Sequence, residues 1–115
     1  MSASLLYLSY TLTILDPETF ADDLADIVEM LSGIAAQWSD IALALRLKTG
    51  NMEIIDRNYS RDARRCLALA ITEWLQLKYN HKRNGMPSWK KLAKAVRGID
   101  NALYLRIIEE HPREN

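Results

Sequence analysis

The sequence is poor in the residues that build covalent or metal-held structure. Its 115 residues include one cysteine, two histidines, three prolines and four isolated glycines. A single cysteine forms no internal disulfide and no cysteine-based zinc site, and it indicates a reducing compartment, so we expect a cytoplasmic protein. Isolated glycines make neither a phosphate-binding loop nor a dinucleotide fingerprint.

Long hydrophobic runs are also missing. The apolar stretch at residues 5–15 is far short of the roughly 18 residues that a membrane span requires, and no basic residue precedes it as in a signal peptide. Apolar and polar residues alternate along it, which predicts an extended strap at residues 1–15. Such a strap packs on the domain, belongs to an upstream neighbour, or exposes an edge that recruits another chain.

Basic residues are absent from the first 45 positions, where seven acidic residues give a formal charge of −7. Residues 61–97 carry ten basic and two acidic residues, a formal charge of +8, although the whole chain sums to zero. Segregated charge predicts one acidic and one basic surface on the same molecule. We expect the acidic patch at Asp22, Asp23, Asp26 and Glu29, and the basic patch at Arg61, Arg64, Arg65, Lys90, Lys91 and Lys94.

From residue 16 to residue 112 the apolar residues recur at helical spacing. Six amphipathic helices with short connections predict one all-α bundle, followed by a short tail at 113–115. We expect Asp16 to cap the first helix, Ser60, Ser88 and Asp100 to cap the fourth, fifth and sixth, and residues 80–86 to form a loop. The predicted core comprises Trp38, Trp74, Trp89, Leu24, Ile41, Leu67 and Leu92.

Residues with possible chemistry have simpler explanations. Neither His81 nor His111 has a partner at metal-ligand spacing, so we expect both to be solvated. Cys66 lies in the apolar stripe of the fourth helix and is expected in the core, not as a catalytic thiolate. The acidic cluster of the first helix lacks the desolvated pocket that a general acid needs. We therefore predict no enzymatic activity, no metal and no cofactor.

Two predicted helices begin with the wrong charge. Helix starts favour acidic side chains, because the helix dipole is positive there. The fourth helix instead begins with Arg61, Arg64 and Arg65, and the fifth with Lys90 and Lys91. Clustered cations of this kind predict a surface for an anionic partner, either an acidic protein face or a phosphate backbone.

Four segments resemble the death domain in their order and spacing. They are the run at 38–45 that begins with Trp38, then Met52 with Ile55, then Cys66-Leu67 followed by Trp74-Leu75, then the run at 87–96 with its Pro-x-Trp-x-x-Leu opening. The resemblance covers roughly residues 18–111, and the most similar form is that of invertebrate multidomain signalling proteins. The strap at 1–15 departs from the family pattern, and residues 33–37 leave open a break or an extra turn.

This resemblance implies a six-helix antiparallel Greek-key bundle, the death fold, without a catalytic site. Such domains bind other death domains, often copies of themselves, in cell-death and innate-immune signalling. The matching positions place Asp22, Asp26, Glu29, Arg64 and Arg65 on one contact surface, and Arg46, Lys48, Glu53 and Arg57 on an opposing patch.

Complementary patches on one molecule predict heterologous, head-to-tail assembly into oligomers or helical filaments. A monomeric adaptor that binds a different death-fold partner is the first alternative. The second, from another class, is a nucleic-acid-binding helical domain that uses the basic run at 61–97. The acidic first helix would repel a phosphate backbone, so we expect neither nucleic acid nor a membrane as the partner.

Overall fold

The computed structural model describes residues 17–111, with side chains described from residue 23 onward. Within this range the chain is helical, and its only β-type pairing is an isolated antiparallel bridge between Leu47 and Tyr79. The predicted strap at 1–15, the predicted cap Asp16, the side chain of Asp22 and the tail at 113–115 lie outside the described residues.

Six main helices follow one another along the described chain. They are α1 (Pro17–Leu31), α2 (Trp38–Ala44), α3 (Thr49–Tyr59), α4 (Ala63–Leu75), α5 (Trp89–Arg97) and α6 (Asn101–Glu110). A 3₁₀ segment (Ser32–Gln37) joins α1 to α2, and Ile34 within it has a non-helical backbone (φ −118°, ψ 24°), so the stretch at 33–37 contains both helical turns and a kink. The all-α prediction is confirmed for the described residues.

The core is centred on α4. Buried residues recur along it as adjacent pairs every four positions, which gives α4 an apolar face wide enough to contact several helices. These residues are each at most 1% exposed: Cys66, Leu67, Ala70, Ile71, Trp74 and Leu75. Helices α1, α2 and α3 and the 3₁₀ segment all pack against α4. Helix α6 packs mainly on α5, which in turn contacts α2.

Five of the seven predicted core residues are buried: Trp38, Trp74, Ile41, Leu67 and Leu92. The other two, Leu24 and Trp89, are only partly buried and pack against the core from its edge. Trp89 is the first residue of α5, and its indole stacks on the His111 ring with centroids 3.9 Å apart and 4° between the planes. Trp89 and Leu24 therefore contribute to the edge of the core, whereas the other five lie inside it.

The helix caps agree with the sequence in two of three described cases. The side chains of Ser88 and Asp100 accept the hydrogen bonds that cap α5 and α6. Asp62, not Ser60, caps α4: its Oδ1 accepts a hydrogen bond from the Arg65 N–H at 3.0 Å. Ser60 keeps a helical backbone at the end of α3, so it cannot adopt the more extended conformation of an N-cap.

The predicted loop at 80–86 contains a single helical turn, His81–Asn84. Asn80 caps it, because its Oδ1 accepts a hydrogen bond from the Arg83 N–H at 3.3 Å. A turn this short has no room for an apolar stripe, which is why the periodicity did not reveal it.

Helices α2 and α4 end in the same way. After α2, the Arg46 N–H donates to the Leu43 carbonyl (3.0 Å) and the Leu47 N–H donates to the Ala42 carbonyl (3.0 Å). After α4, the amides of Leu77 and Lys78 make the same two bonds, so both ends are Schellman motifs. The left-handed position of the motif, usually glycine, holds Arg46 (φ 68°) and Leu77 (φ 62°). A non-glycine residue in this conformation costs on the order of 1–3 kcal/mol.

Candidate interaction surfaces

The predicted acidic patch forms one wall of an open groove. Asp26 and Glu29 are exposed on α1, and both line a cavity of about 660 Å³ between α1, the end of α6 and the start of α5. Asp23 is half-buried nearby, and the side chain of Asp22 lies outside the described residues. The groove is lined by Asp26, Glu29, Met30, Ser32, Trp89, Arg106, Glu110 and His111, which we call the acidic groove.

The far wall of the acidic groove comes from α6 and its C-terminus. The Arg106 Nε lies 3.3 Å from the Glu110 Oε2, so the single arginine of the groove is already paired. His111 stacks on Trp89, and burial lowers the pKa of His111 even though the nearby carboxylates of Glu110 and Asp23 act to raise it. The prediction that His111 is solvated is therefore wrong. His81 is also half-buried, with its ring edge-on to Tyr79.

Three arginines cluster at the start of α4, and we call Arg61, Arg64 and Arg65 the arginine surface. All three are exposed. Arg65 has partners within the chain, since its guanidinium lies 5.3 Å from the Tyr59 ring centroid and its Nε lies 3.8 Å from the Asp62 Oδ2. Arg61 and Arg64 make no ion pair or side-chain hydrogen bond with any described residue. These two guanidinium groups are thus available to an external acidic group.

The structure divides the predicted basic patch into two places. Lys91 and Lys94 line a cavity of about 350 Å³ together with Trp74, near the end of α4. Arg65 lies nine residues before Trp74 on α4, which separates these two residues by about 14 Å along the helix axis. Lys90 is exposed on α5, next to Lys91 in the sequence. The lysines and the arginine surface therefore cannot act as one compact patch.

The opposing patch implied by the family resemblance is divided as well. Arg46 lines the same cavity as Lys91 and Lys94. Lys48, Glu53 and Arg57 are exposed on and before α3. Glu53 does not face that cavity but lines a separate, shallow groove of about 310 Å³ with an apolar floor. The other residues that line this groove are Trp38, Ser39, Leu43, Thr49, Met52 and Asp56. Leu43, with 48% of its surface exposed, is the most accessible apolar residue there.

Cys66 is inert in its surroundings. The thiol is buried, and its Sγ donates a hydrogen bond to the Tyr59 carbonyl at 3.1 Å. Burial raises the pKa of the Cys66 thiol, and the carboxylates of Asp56 and Asp62 raise it further. Because a reactive cysteine needs the thiolate, this site favours a core role for Cys66, as the sequence predicted.

Two features are absent from the part of the chain that the structure describes. No group of three or more His, Cys, Asp or Glu side chains could hold a metal ion, and no helix has the length and apolar character to cross a membrane. Comparisons of the chain with protein-family models, with curated proteins and with solved structures find no match.

Proposed function

We propose that this chain is a non-enzymatic protein-interaction module that assembles head-to-tail with copies of itself, with the antiparallel Greek-key order of the death fold. The main support is the separation of two oppositely charged surfaces. The acidic groove and the arginine surface share no residue, so both are available on each molecule. A contact between the groove of one copy and the arginines of the next leaves one surface of each kind free.

The groove has the chemistry to accept an arginine side chain. Asp26 and Glu29 present two exposed carboxylates on the α1 wall, while Glu110 on the far wall is already paired with Arg106. A guanidinium group matches a carboxylate through two parallel hydrogen bonds, so Arg61 or Arg64 of a second copy would suit the α1 wall. Each such exposed pair contributes about 0–1 kcal/mol, and several together would give a weak, salt-sensitive contact.

The test is molar mass by light scattering after size exclusion, over a protein concentration series, from about 50 mM to about 500 mM salt. We expect species larger than the 13.2 kDa monomer at low salt, and dissociation as salt rises. A monomer under every condition would overturn self-assembly and favour the adaptor that binds a different partner.

Neutral substitutions on either surface identify the contact. We expect Asp26→Asn with Glu29→Gln, and separately Arg61→Gln with Arg64→Gln, to be monomeric alone. Mixed together, they should form a dimer and stop there, since each variant retains one working surface. Lys82→Gln with Arg83→Gln is the matched control, because it removes the same charge from two exposed residues elsewhere. Assembly of the Arg61/Arg64 variant at wild-type strength would exclude the arginine surface as an interface.

Nucleic-acid binding receives less support from this arrangement. A phosphate backbone needs a continuous row of cations, whereas the arginine surface and the lysines near the end of α4 lie apart.

A further inference from the structure

Arg46 occupies the left-handed position of the Schellman motif that ends α2, where glycine is the usual residue. Its counterpart at the end of α4, Leu77, has the same left-handed conformation, and the Leu77 side chain packs against the core. The Arg46 side chain is exposed and forms no hydrogen bond or ion pair with any described residue. The Schellman motif uses only the backbone of Arg46, so an arginine in place of the usual glycine is a reason to look for a role of its side chain in binding.

Arg46 lies beside two further cations. Arg46, Lys91 and Lys94 all line the cavity of about 350 Å³, and no acidic residue lines it. None of the three forms an ion pair within residues 23–111. Burial lowers the pKa of Lys91, and the charge of Lys94 lowers it further, so the two amines repel one another. An anion in the cavity would relieve that repulsion.

The walls of this cavity are held in place by contacts across the chain. The Leu47–Tyr79 bridge joins the end of α2 to the segment after α4. The Tyr79 hydroxyl donates to the Gly85 carbonyl at 2.7 Å, and the Lys91 Nζ donates to the Asn84 carbonyl. Gly85 has φ 86°, a backbone conformation that side-chain-bearing residues rarely adopt, so this position favours glycine. The three cations therefore surround a preformed cavity.

We propose that the cavity formed by Arg46, Lys91 and Lys94 binds the phosphate group of a small ligand. A phosphate carries up to two negative charges and several acceptor oxygens, so it can use a planar guanidinium and two ammonium groups at once. The volume is within the range of small-molecule sites, and Trp74, Tyr79 and Ala95 provide an apolar wall for an uncharged part of the ligand.

Titration calorimetry with inorganic phosphate and with glucose 6-phosphate tests this site, at constant ionic strength with chloride as the balancing anion. We expect saturable binding of one ligand per chain, weakened at least about tenfold by Arg46→Gly and by Lys94→Gln, since each removes one of three cations. Arg46→Gly suits the fold, because glycine favours the left-handed conformation. Tighter binding of the sugar phosphate would identify an organic ligand, and equal binding of both would identify the phosphate group alone.

Two results would overturn the proposal. One is the absence of saturable binding by folded wild-type protein, and the other is unchanged binding by folded Arg46→Gly. If phosphate fails to bind while Arg46→Gly weakens self-assembly, the cations belong to a protein contact instead. Arg64→Gln is the control, because it removes an exposed arginine outside the cavity and should bind as the wild type does. The Arg61→Gln/Arg64→Gln variant separates the two proposals, since it should lose assembly and keep phosphate.

Discussion

Helices α4 and α5 both begin with clustered cations and both contain a tryptophan, yet they have different roles in the fold. Trp74 lies near the end of α4, is 1% exposed and belongs to the helix against which α1, α2 and α3 pack. Trp89 is the first residue of α5, half-buried and stacked on His111 at the acidic groove. The position of a tryptophan in its helix, and the number of elements around it, decide whether it stabilises the core or shapes a surface.

The largest expected effect separates these two tryptophans. Trp74→Ala should reduce the free energy of unfolding by about 3–5 kcal/mol, which is comparable to the whole stability of a small domain. Trp89→Ala should cost about 1–2 kcal/mol, because it removes a stacked pair and partial burial only. Urea unfolding followed by far-ultraviolet circular dichroism measures both. Equal losses would mean that Trp89 contributes to the core as much as Trp74 does.

The second-largest loss of stability is expected from removing the side chains that cap α4 and α5. Asp62→Ala should destabilise the protein by about 1–2 kcal/mol, since it removes the cap of α4 and the charge beside Arg65. Ser88→Ala should cost about 1 kcal/mol, because it removes only the cap of α5, where the serine Oγ accepts from the Lys91 N–H at 3.1 Å.

Asp62→Asn is the matched variant for α4, since an asparagine caps as well as an aspartate and lacks its charge. If the charge of Asp62 offsets the cations there, Asp62→Asn should lie between the wild type and Asp62→Ala in urea midpoint. A value equal to the wild type would show that the cap alone matters and would make the two helix starts equivalent.

Much of the fold could be predicted because helical periodicity is a local property. The stripe along α4, the caps Ser88 and Asp100 and the buried Trp38 and Trp74 all follow from spacing within one helix. The prediction of Ser60 as the cap of α4 is wrong, because Asp62, two residues later, caps this helix. The choice depends on where α3 ends, and its last turn extends to Tyr59 and leaves Ser60 helical.

The sequence predicted which charged residues form the surfaces, but not which of them lie together in one groove or cavity. Arg46 shares a cavity with Lys91 and Lys94, and Asp26 shares a groove with Glu110, although these residues lie far apart in the sequence. Juxtapositions of this kind depend on how helices pack, which no spacing rule records. The left-handed Arg46 was equally hidden, because the usual signal for such a helix end is glycine.

The smallest expected effect concerns the ring on which Trp89 stacks. Burial places the pKa of His111 below its ordinary value of about 6.5, so the folded protein binds this proton less readily than the unfolded chain does. The contribution of the neutral His111 to the free energy of unfolding is fully present above the unfolded pKa, and it is lost as the pH falls through the lower folded pKa.

The urea midpoint should therefore fall more between about pH 7.5 and about pH 5.5 for the wild type than for His111→Gln, because glutamine has no proton to gain in this range. The difference should be smaller than that of either cap, because solvent screens a half-exposed ring. Trp89→Ala should reduce the same pH dependence by opening His111 to water, and parallel slopes for all three proteins would show that the stack does not desolvate the imidazole.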